Sequence, residues 1–507
     1  MSASVRPWLA ILLAAAAGPI LDAGFPDRGW WPATFFGIAV VLVALRGQKW
    51  GWALLIGFVA GFSFYLTHIE WATLFLGVVP WIALSFLESL FYAVGATAIA
   101  LAYRWVPRAW PGRLGRIALV PLVVAGIWTA REAIAAVWPY GGFAWGRVAL
   151  SQSESPFADL FGWLGVSGVS FVMVLLMAFT VELWQYRAML PRFRAVLAVA
   201  SIAAVLAIPG WPTLTSGTMR VAAVQGDTKS GYFDKREYQG EILQGHLDAT
   251  QAVVGQKVDA VIWPEGASDL SPLESSAAAS AFDQVTSIIG APLISGAITD
   301  REGKTFNSSL LWMPNVGITD IYDKKHPIPF GEYVPDRSFW RPFAPDLIDL
   351  IGRDYTPGTN DEVFDLGKII VGVNICFDIS DDQILTESVE DGAQIIFAQS
   401  NNADFGRTDE SAQQLAIARI RAIETGRTVV NISTVAGSAI VAPNGSTIDS
   451  LPWYTPDVMI DTVPLSTAIT PAVFLGRQVE WLVSSFGLLS VVLGGVVVRL
   501  QRKKRTA

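Results

Sequence analysis

Lys368-Ile369-Ile370-Val371-Gly372-Val373-Asn374-Ile375-Cys376 is a short β-branched run that gives out on a thiol. A continuous apolar run of this length marks a strand covered on both faces, as in a buried α/β sheet. The strand is expected over Lys368–Val373, ending at Asn374-Ile375-Cys376. Similar runs flank it. Met219–Val224 reads as a strand ending at Gln225-Gly226, followed by a helix at about 235–255. Ala260–Trp263 is the next strand, ending in Pro264-Glu265-Gly266, and a helix at about 274–288 precedes the strand Pro292–Gly296. Ser308–Met313 and Gly317–Tyr322 read as a hairpin pair. Gln394–Ala398 ends at Gln399-Ser400-Asn401-Asn402, and a helix at about 409–426 leads into Thr428–Ser433. Strand and helix alternating in this way predict an α/β sheet over 217–470.

Three reactive side chains stand where these strands end: Glu265 after VDAVIWP, Lys324 after ITDIY, and Cys376 after IIVGVNI. In open α/β sheets, sites form outside the carboxyl ends of strands. A deprotonated thiol is the strongest side-chain nucleophile near neutral pH. A carboxylate can take its proton and return it to a leaving group, and a lysine ammonium can stabilise an oxyanion. Each residue alone has an ordinary structural role. A buried cysteine is commonly a small hydrophobe, Glu265 a charge at a helix N-terminus, Lys324 a surface lysine. Their joint placement at strand ends favours acyl chemistry. His326 is a rival base. The chain has one cysteine and three histidines far apart, so an internal disulfide is impossible and no metal or cofactor is expected.

Of the 507 residues, 52% are hydrophobic and only 16% charged, leaner in charge than soluble proteins. The excess lies in 1–212 and 478–499. About 20 apolar residues span a bilayer as helix, and eight such segments are read at roughly 6–23, 30–46, 50–68, 79–104, 116–136, 163–184, 194–210 and 479–499. The first lacks a basic start and a clear cleavage site and is read as a span, not a leader. The net charge of −8 argues against nucleic acid.

Loops after even-numbered spans are basic: Arg46 and Lys49; Arg104, Arg108, Arg113 and Arg116; Arg187, Arg192 and Arg194; and the tail from Arg499 to Arg505. The alternate loops carry Asp22 and Asp27, Glu70, Glu132, Glu154 and Asp159. The positive-inside rule then puts both termini in the cytoplasm and the region between spans seven and eight outside it. The chain is thus divided into a seven-span region 1–212, an extracytoplasmic α/β domain 217–470, an eighth span 478–499 and a basic cytoplasmic tail 500–507. The spans are expected to lack paired intramembrane charges, which counts against a transporter. Trp138-Pro139-Tyr140-Gly141-Gly142-Phe143-Ala144-Trp145 reads either as an interfacial aromatic belt or as the lining of a lipid entry. Arg131 and Glu132 read either as an ion pair at the membrane edge or as a headgroup contact.

Trp263-Pro264-Glu265, Lys324 and Cys376 resemble the Glu-Lys-Cys triad of the nitrilase superfamily. Tyr322-Asp323-Lys324-Lys325-His326 with Pro329-Phe330-Gly331-Glu332-Tyr333-Val334-Pro335 resembles the signature of its membrane branch, the bacterial apolipoprotein N-acyltransferases. So do Ser400-Asn401-Asn402-Ala403-Asp404-Phe405-Gly406, Ala418-Arg419-Ile420-Arg421-Ala422, Gln225-Gly226, Thr470-Pro471 and the seven-plus-one spans. The resemblance implies an αββα sandwich joined to a multi-pass helical bundle in the bacterial cytoplasmic membrane. It implies Glu265 as base, Lys324 as oxyanion partner and Cys376 as nucleophile, with Glu332, Phe377, Asp378 and Asn401 supporting the site or positioning substrate. The implied partners are a phospholipid acyl donor and a diacylglyceryl-modified apolipoprotein acceptor, and the chain is expected to be a monomer. The sequence departs from the family pattern at Phe377 and Asp378, where the family has Tyr-Glu, and at Asp404, where it has tryptophan. Tyr232 or Phe233 stands where a further tryptophan is expected. Two other functions are open on the residues: a membrane-tethered amidase that hydrolyses a soluble amide, and a non-catalytic lipoprotein-binding scaffold on a nitrilase fold. Retention of the whole triad argues against the scaffold.

Overall fold

The computed structural model describes residues 5–186 and 193–506. The chain forms two units, one of residues up to Trp211 together with those from Pro471, the other Pro212–Thr470.

The first unit is helical. Its longer helices are Pro7–Asp22, Trp31–Leu45, Trp50–His68, Val78–Ala109, Val120–Ala135, Phe161–Gln185, Arg194–Leu206 and Pro471–Thr506. Five stretches are long and apolar enough to cross a membrane: Trp50–His68, Val78–Ala109, Leu114–Ala135, Ala158–Gln185 and Pro471–Lys504. Pro7–Asp22, Trp31–Leu45 and Arg194–Leu206 are apolar but shorter. Every expected span is therefore a helix, though the seventh stops at Leu206 and the last starts at Pro471 rather than 479. Proline suits a first helical position because its missing N–H would have no partner there. Arg187, Arg192 and the side chain of Arg505 lie outside the described residues. Outward-facing Leu12, Phe36, Val94, Leu482 and Leu489 are exposed, the inverse of a soluble bundle. Between lipid-facing helices, close packing replaces the hydrophobic effect. Gly126 and Gly487 meet backbone to backbone, and a Cβ on Gly126 would lie 2.4 Å from the Val483 carbonyl oxygen.

Two ion pairs correct the expectation that the spans lack paired charges. Arg46 donates to both Glu182 oxygens, at 2.8 and 3.0 Å. Arg131 and Glu132 are buried together. Glu132 Oε1 accepts from Arg131 at 3.1 Å, from Trp128 Nε1 at 2.8 Å and from Val148 N–H at 3.1 Å. The Arg131 guanidinium also lies 3.9 Å from the centre of the Tyr92 ring. Arg131 and Glu132 form the ion pair of the first reading. Charges at this depth persist because each has a partner, a pattern that hydropathy averages hide. The aromatic segment divides: Trp138 and Tyr140 are exposed, Ala144 and Trp145 buried.

The second unit holds two six-stranded sheets. The strands are β1 Gly217–Gln225, β2 Ala260–Ile262, β3 Leu293–Arg301, β4 Lys304–Met313, β5 Gly317–Asp323, β6 Val363–Asp365, β7 Ile370–Ile375, β8 Ile395–Ser400, β9 Val429–Ser433, β10 Ala439–Val441, β11 Thr447–Ser450 and β12 Asp457–Leu465. One sheet runs β12-β1-β2-β3-β4-β5, the other β11-β10-β9-β8-β7-β6. The centre of each is parallel, β1-β2-β3 and β7-β8-β9. Alternate residues of one strand serve two cores. Met219, Val221 and Ala223 of β1 point into the layer shared with Val373, Phe397 and Ile432 of the other sheet. Ala222 and Val224 point the other way, to the layer holding Leu243 and Phe282 of the helices Glu241–Thr250 and Ser276–Ile289. That double burial explains the unbroken apolar runs of the sequence. With helices Asp382–Glu390 and Asp409–Thr425 packed on the second sheet, the unit is an αββα sandwich.

Several local expectations needed correction. The helix expected from about 235 forms only over Glu241–Thr250, because Gly240 at φ 94° is left-handed and cannot lie within a helix. β3 continues to Arg301. The strands β6, β10, β11 and β12 and the helix Asp382–Glu390 were not read from the sequence.

Candidate active site

Cys376 follows β7 directly and begins a 3₁₀ turn, Cys376–Ser380. Its φ is +52°, a left-handed conformation that a side-chain-bearing residue adopts at a cost. The chain thereby breaks sharply from strand to turn at the thiol. Asp378 holds that turn. It is fully buried and accepts from Tyr322 Oη at 2.8 Å, His326 N–H at 3.2 Å and Ile375 N–H at 3.3 Å. A residue two places after the cysteine thus ties its turn to the β5 end that carries Lys324.

Glu265 follows β2, with Trp263 anchoring the segment: its indole donates to Thr250 Oγ1 at 3.0 Å and meets the Phe282 ring edge-to-face at 5.5 Å. Glu265 Oε1 accepts from Asn307 Nδ2 at 2.7 Å and Oε2 from the Asn401 N–H at 2.8 Å. Asn307 also donates to Glu332 Oε1 at 2.9 Å, bridging the two carboxylates. Glu332 Oε2 accepts from Ile328 N–H at 2.7 Å. Lys324 Nζ sits 2.8 Å from Glu332 Oε2 and 3.6 Å from Glu265 Oε1. Neither approach has hydrogen-bond alignment, so the buried ammonium is ion-paired and its Nζ has no hydrogen-bond partner among the described residues.

The electrostatics follow from burial and this crowding. Burial raises the Glu265 carboxyl above its ordinary range; Lys324 opposes that shift and Glu332 adds to it. Burial pulls Lys324 down, but Glu332 and Glu265 outweigh it, and the lysine stays an ammonium. Burial and the charge of Glu265 push the Cys376 thiol well up against the pull of Lys324. At rest Cys376 is a neutral thiol in the field of a carboxylate with raised proton affinity. That arrangement can move a proton from sulfur to carboxylate as sulfur attacks, and Lys324 can meet the negative charge that develops.

The structure therefore gathers Glu265, Lys324, Glu332 and Asn401 around shared contacts, with Cys376 in their electrostatic reach. Asn401 also donates from Nδ2 to the Ser230 carbonyl at 2.8 Å. Phe377 is half-buried, and its carbonyl accepts from Ser380 Oγ at 2.8 Å. The rival base, His326, is directed elsewhere: its Nε2 lies 3.7 Å from Asp381 Oδ2. Sequence reasoning missed Asn307 and Gln414. Gln414 Nε2 lies 3.7 Å from Cys376 Sγ. The only signal for Asn307 was a polar residue within the run Lys304–Met313.

Along its length the chain is 31% identical to an apolipoprotein N-acyltransferase of Mycolicibacterium smegmatis, over 96% of this chain and 84% of the relative. The chain belongs to the apolipoprotein N-acyltransferase family. Residues 17–179 match the apolipoprotein N-acyltransferase N-terminal domain, and residues 220–470 match carbon-nitrogen hydrolase. A Photobacterium profundum apolipoprotein N-acyltransferase is 25% identical over 96% of this chain and 95% of its own length. Among solved structures, an amidase from Nesterenkonia sp. is 16% identical, covering 50% of this chain and 94% of that one with a TM-score of 0.38.

Two departures from the family strings meet in space. Asp404 Oδ1 accepts from the backbone N–H of Tyr232 at 2.8 Å, joining the two segments where tryptophans were expected. Burial raises the Asp404 carboxyl to about 6.

Proposed function

We propose that this chain is an apolipoprotein N-acyltransferase that carries an acyl chain from a membrane phospholipid, as a thioester on Cys376, to the α-amine of a diacylglyceryl-cysteine at a lipoprotein N-terminus. The observation that carries the reading is the pairing of buried Glu265 and Lys324, which follow strand ends, with half-buried Glu332, and the Cys376 thiol held neutral within their field.

In the first half-reaction Glu265 takes the thiol proton as Sγ attacks the ester carbonyl carbon. Negative charge moves to the carbonyl oxygen, where the Lys324 ammonium compensates it. The intermediate collapses, the carbon–oxygen bond breaks, and Glu265 returns its proton to the departing lysophospholipid. In the second half-reaction the α-amine attacks the thioester and gives a proton to Glu265. The carbon–sulfur bond breaks and Glu265 returns that proton to the sulfur, which re-forms the thiol. Glu332, fixed by Asn307 and the Ile328 N–H, positions Lys324. Asp378 keeps the nucleophile turn in register, and the Asn401 N–H holds the second oxygen of Glu265.

The basic loops support both termini in the cytoplasm and the unit Pro212–Thr470 on the outer side of a bacterial cytoplasmic membrane. We propose that the chain acts there as a monomer. Both lipid substrates are membrane-borne, which fits a chain with eight apolar helices among its described residues rather than a single anchor.

The test is to supply a diacylglyceryl-cysteine peptide to enzyme already acylated by phospholipid. N-acylated peptide is expected by mass spectrometry. Free fatty acid with unmodified peptide would make the chain a hydrolase instead.

A further inference from the structure

Glu410 is 2% exposed on the first turn of the helix Asp409–Thr425, and no step above uses it. Gln414 lies one turn further on the same helix face, with its amide nitrogen 3.7 Å from Cys376 Sγ. Gln414 is fully buried, and its Oε1 meets no donor among the described residues. Ser411 Oγ donates to Glu410 Oε2 at 3.2 Å. The other titratable groups that face Glu410 are Glu265 beyond β2, Cys376 on the nucleophile turn, and Tyr454 between β11 and β12. The Arg407 guanidinium lies 4.5 Å over the Tyr454 ring. Ionised Glu410 would oppose each negative charge that acylation creates, on sulfur and on the oxyanion. The neutral acid opposes neither, and it has an O–H to offer, which a carboxylate lacks.

We propose that Glu410 works as a neutral carboxylic acid that positions the Gln414 amide on the nucleophile, and that its ionisation switches acylation off. This rests on the reading of Cys376 as the acyl-carrying nucleophile. The Glu410 O–H serves the orphaned Gln414 Oε1, which fixes the amide plane and keeps its N–H on Sγ. Glu410 touches no reacting atom and is a positioning residue. Burial first, then the charge of Glu265, holds it protonated and raises it to about 8, while the Ser411 hydroxyl favours the carboxylate. The working, neutral form is present below that value and lost as pH rises through it.

The experiment follows acyl-adduct formation on the full chain with phosphatidylethanolamine–phosphatidylglycerol vesicles, by intact mass, across neutral and alkaline pH. The unsubstituted protein is expected to slow about tenfold from about pH 7 to about pH 9, the drop for one group titrating near 8. E410Q stays neutral and keeps a donor, so its alkaline fall should vanish. S411A removes the bond that favours the carboxylate, so its fall should move to higher pH; this mild change serves if E410Q does not fold. A fall at the unsubstituted midpoint in either variant overturns the inference alone. No adduct at any pH in the unsubstituted protein overturns the thioester reading and the inference with it.

Discussion

Glu265 shows how a few atoms set the chemistry. Its carboxylate is shared between Asn307, the Asn401 N–H and Lys324, and its proton affinity is raised chiefly by burial. In its proposed role as base it works ionised, so thioester formation should fall as pH drops through its raised value. Glu265→Gln keeps the shape and removes the base. It should slow acylation by about 10²–10⁴-fold, read as adduct per minute by intact mass; adduct at the unsubstituted rate would end that role. At this scale the sequence was legible wherever a reactive side chain ended a strand, as for Glu265, Lys324 and Cys376. Asn307, Gln414 and Glu410 were not legible, because a polar residue within a strand or on a helix looks the same whether it faces water or the site. The strained φ of Cys376 was also invisible, since nothing in Ile375-Cys376-Phe377 marks a left-handed residue.

Among the elements, the two sheets are held by layers whose members the sequence mixes along each strand. Phe282 is fully buried between Trp263 and Trp312, with ring centres 5.5 and 5.4 Å away, both edge-to-face. Phe282→Ala should destabilise the protein by about 3–5 kcal/mol, seen as a lower unfolding midpoint of the full chain. A shift of under about 1 kcal/mol would mean the helix Ser276–Ile289 is not anchored as described. The buried strands were readable because both faces are apolar. β12 was not: it pairs with β1 from Gly217↔Leu465 to Gln225↔Asp457, yet its Asp457, Asp461 and Thr462 give it the mixed look of a loop. Being on an edge, it buries only part of each face, so pattern alone undervalued it.

For the whole molecule, hydropathy located every apolar helix, because about 20 contiguous apolar residues leave a strong signal. The buried pair Arg46–Glu182 escaped it, since an average over a span tolerates a lone charge whose partner lies on another helix; the adjacent Arg131–Glu132 pair stood out as one of two readings of those residues. The proposed orientation has a direct check. In a Cys376→Ala background, Glu237→Cys should react with a membrane-impermeant maleimide on intact spheroplasts. Gly47→Cys should react only after permeabilisation. The reverse pattern would invert the topology and place the Cys376 unit in the cytoplasm.

The central claim is that Cys376 carries the acyl group. The full chain and its Cys376→Ala variant are incubated with phospholipid and weighed intact. A mass gain of one acyl chain, removed by hydroxylamine and absent from Cys376→Ala, is the result expected. A gain on both proteins, or on neither, would contradict the account.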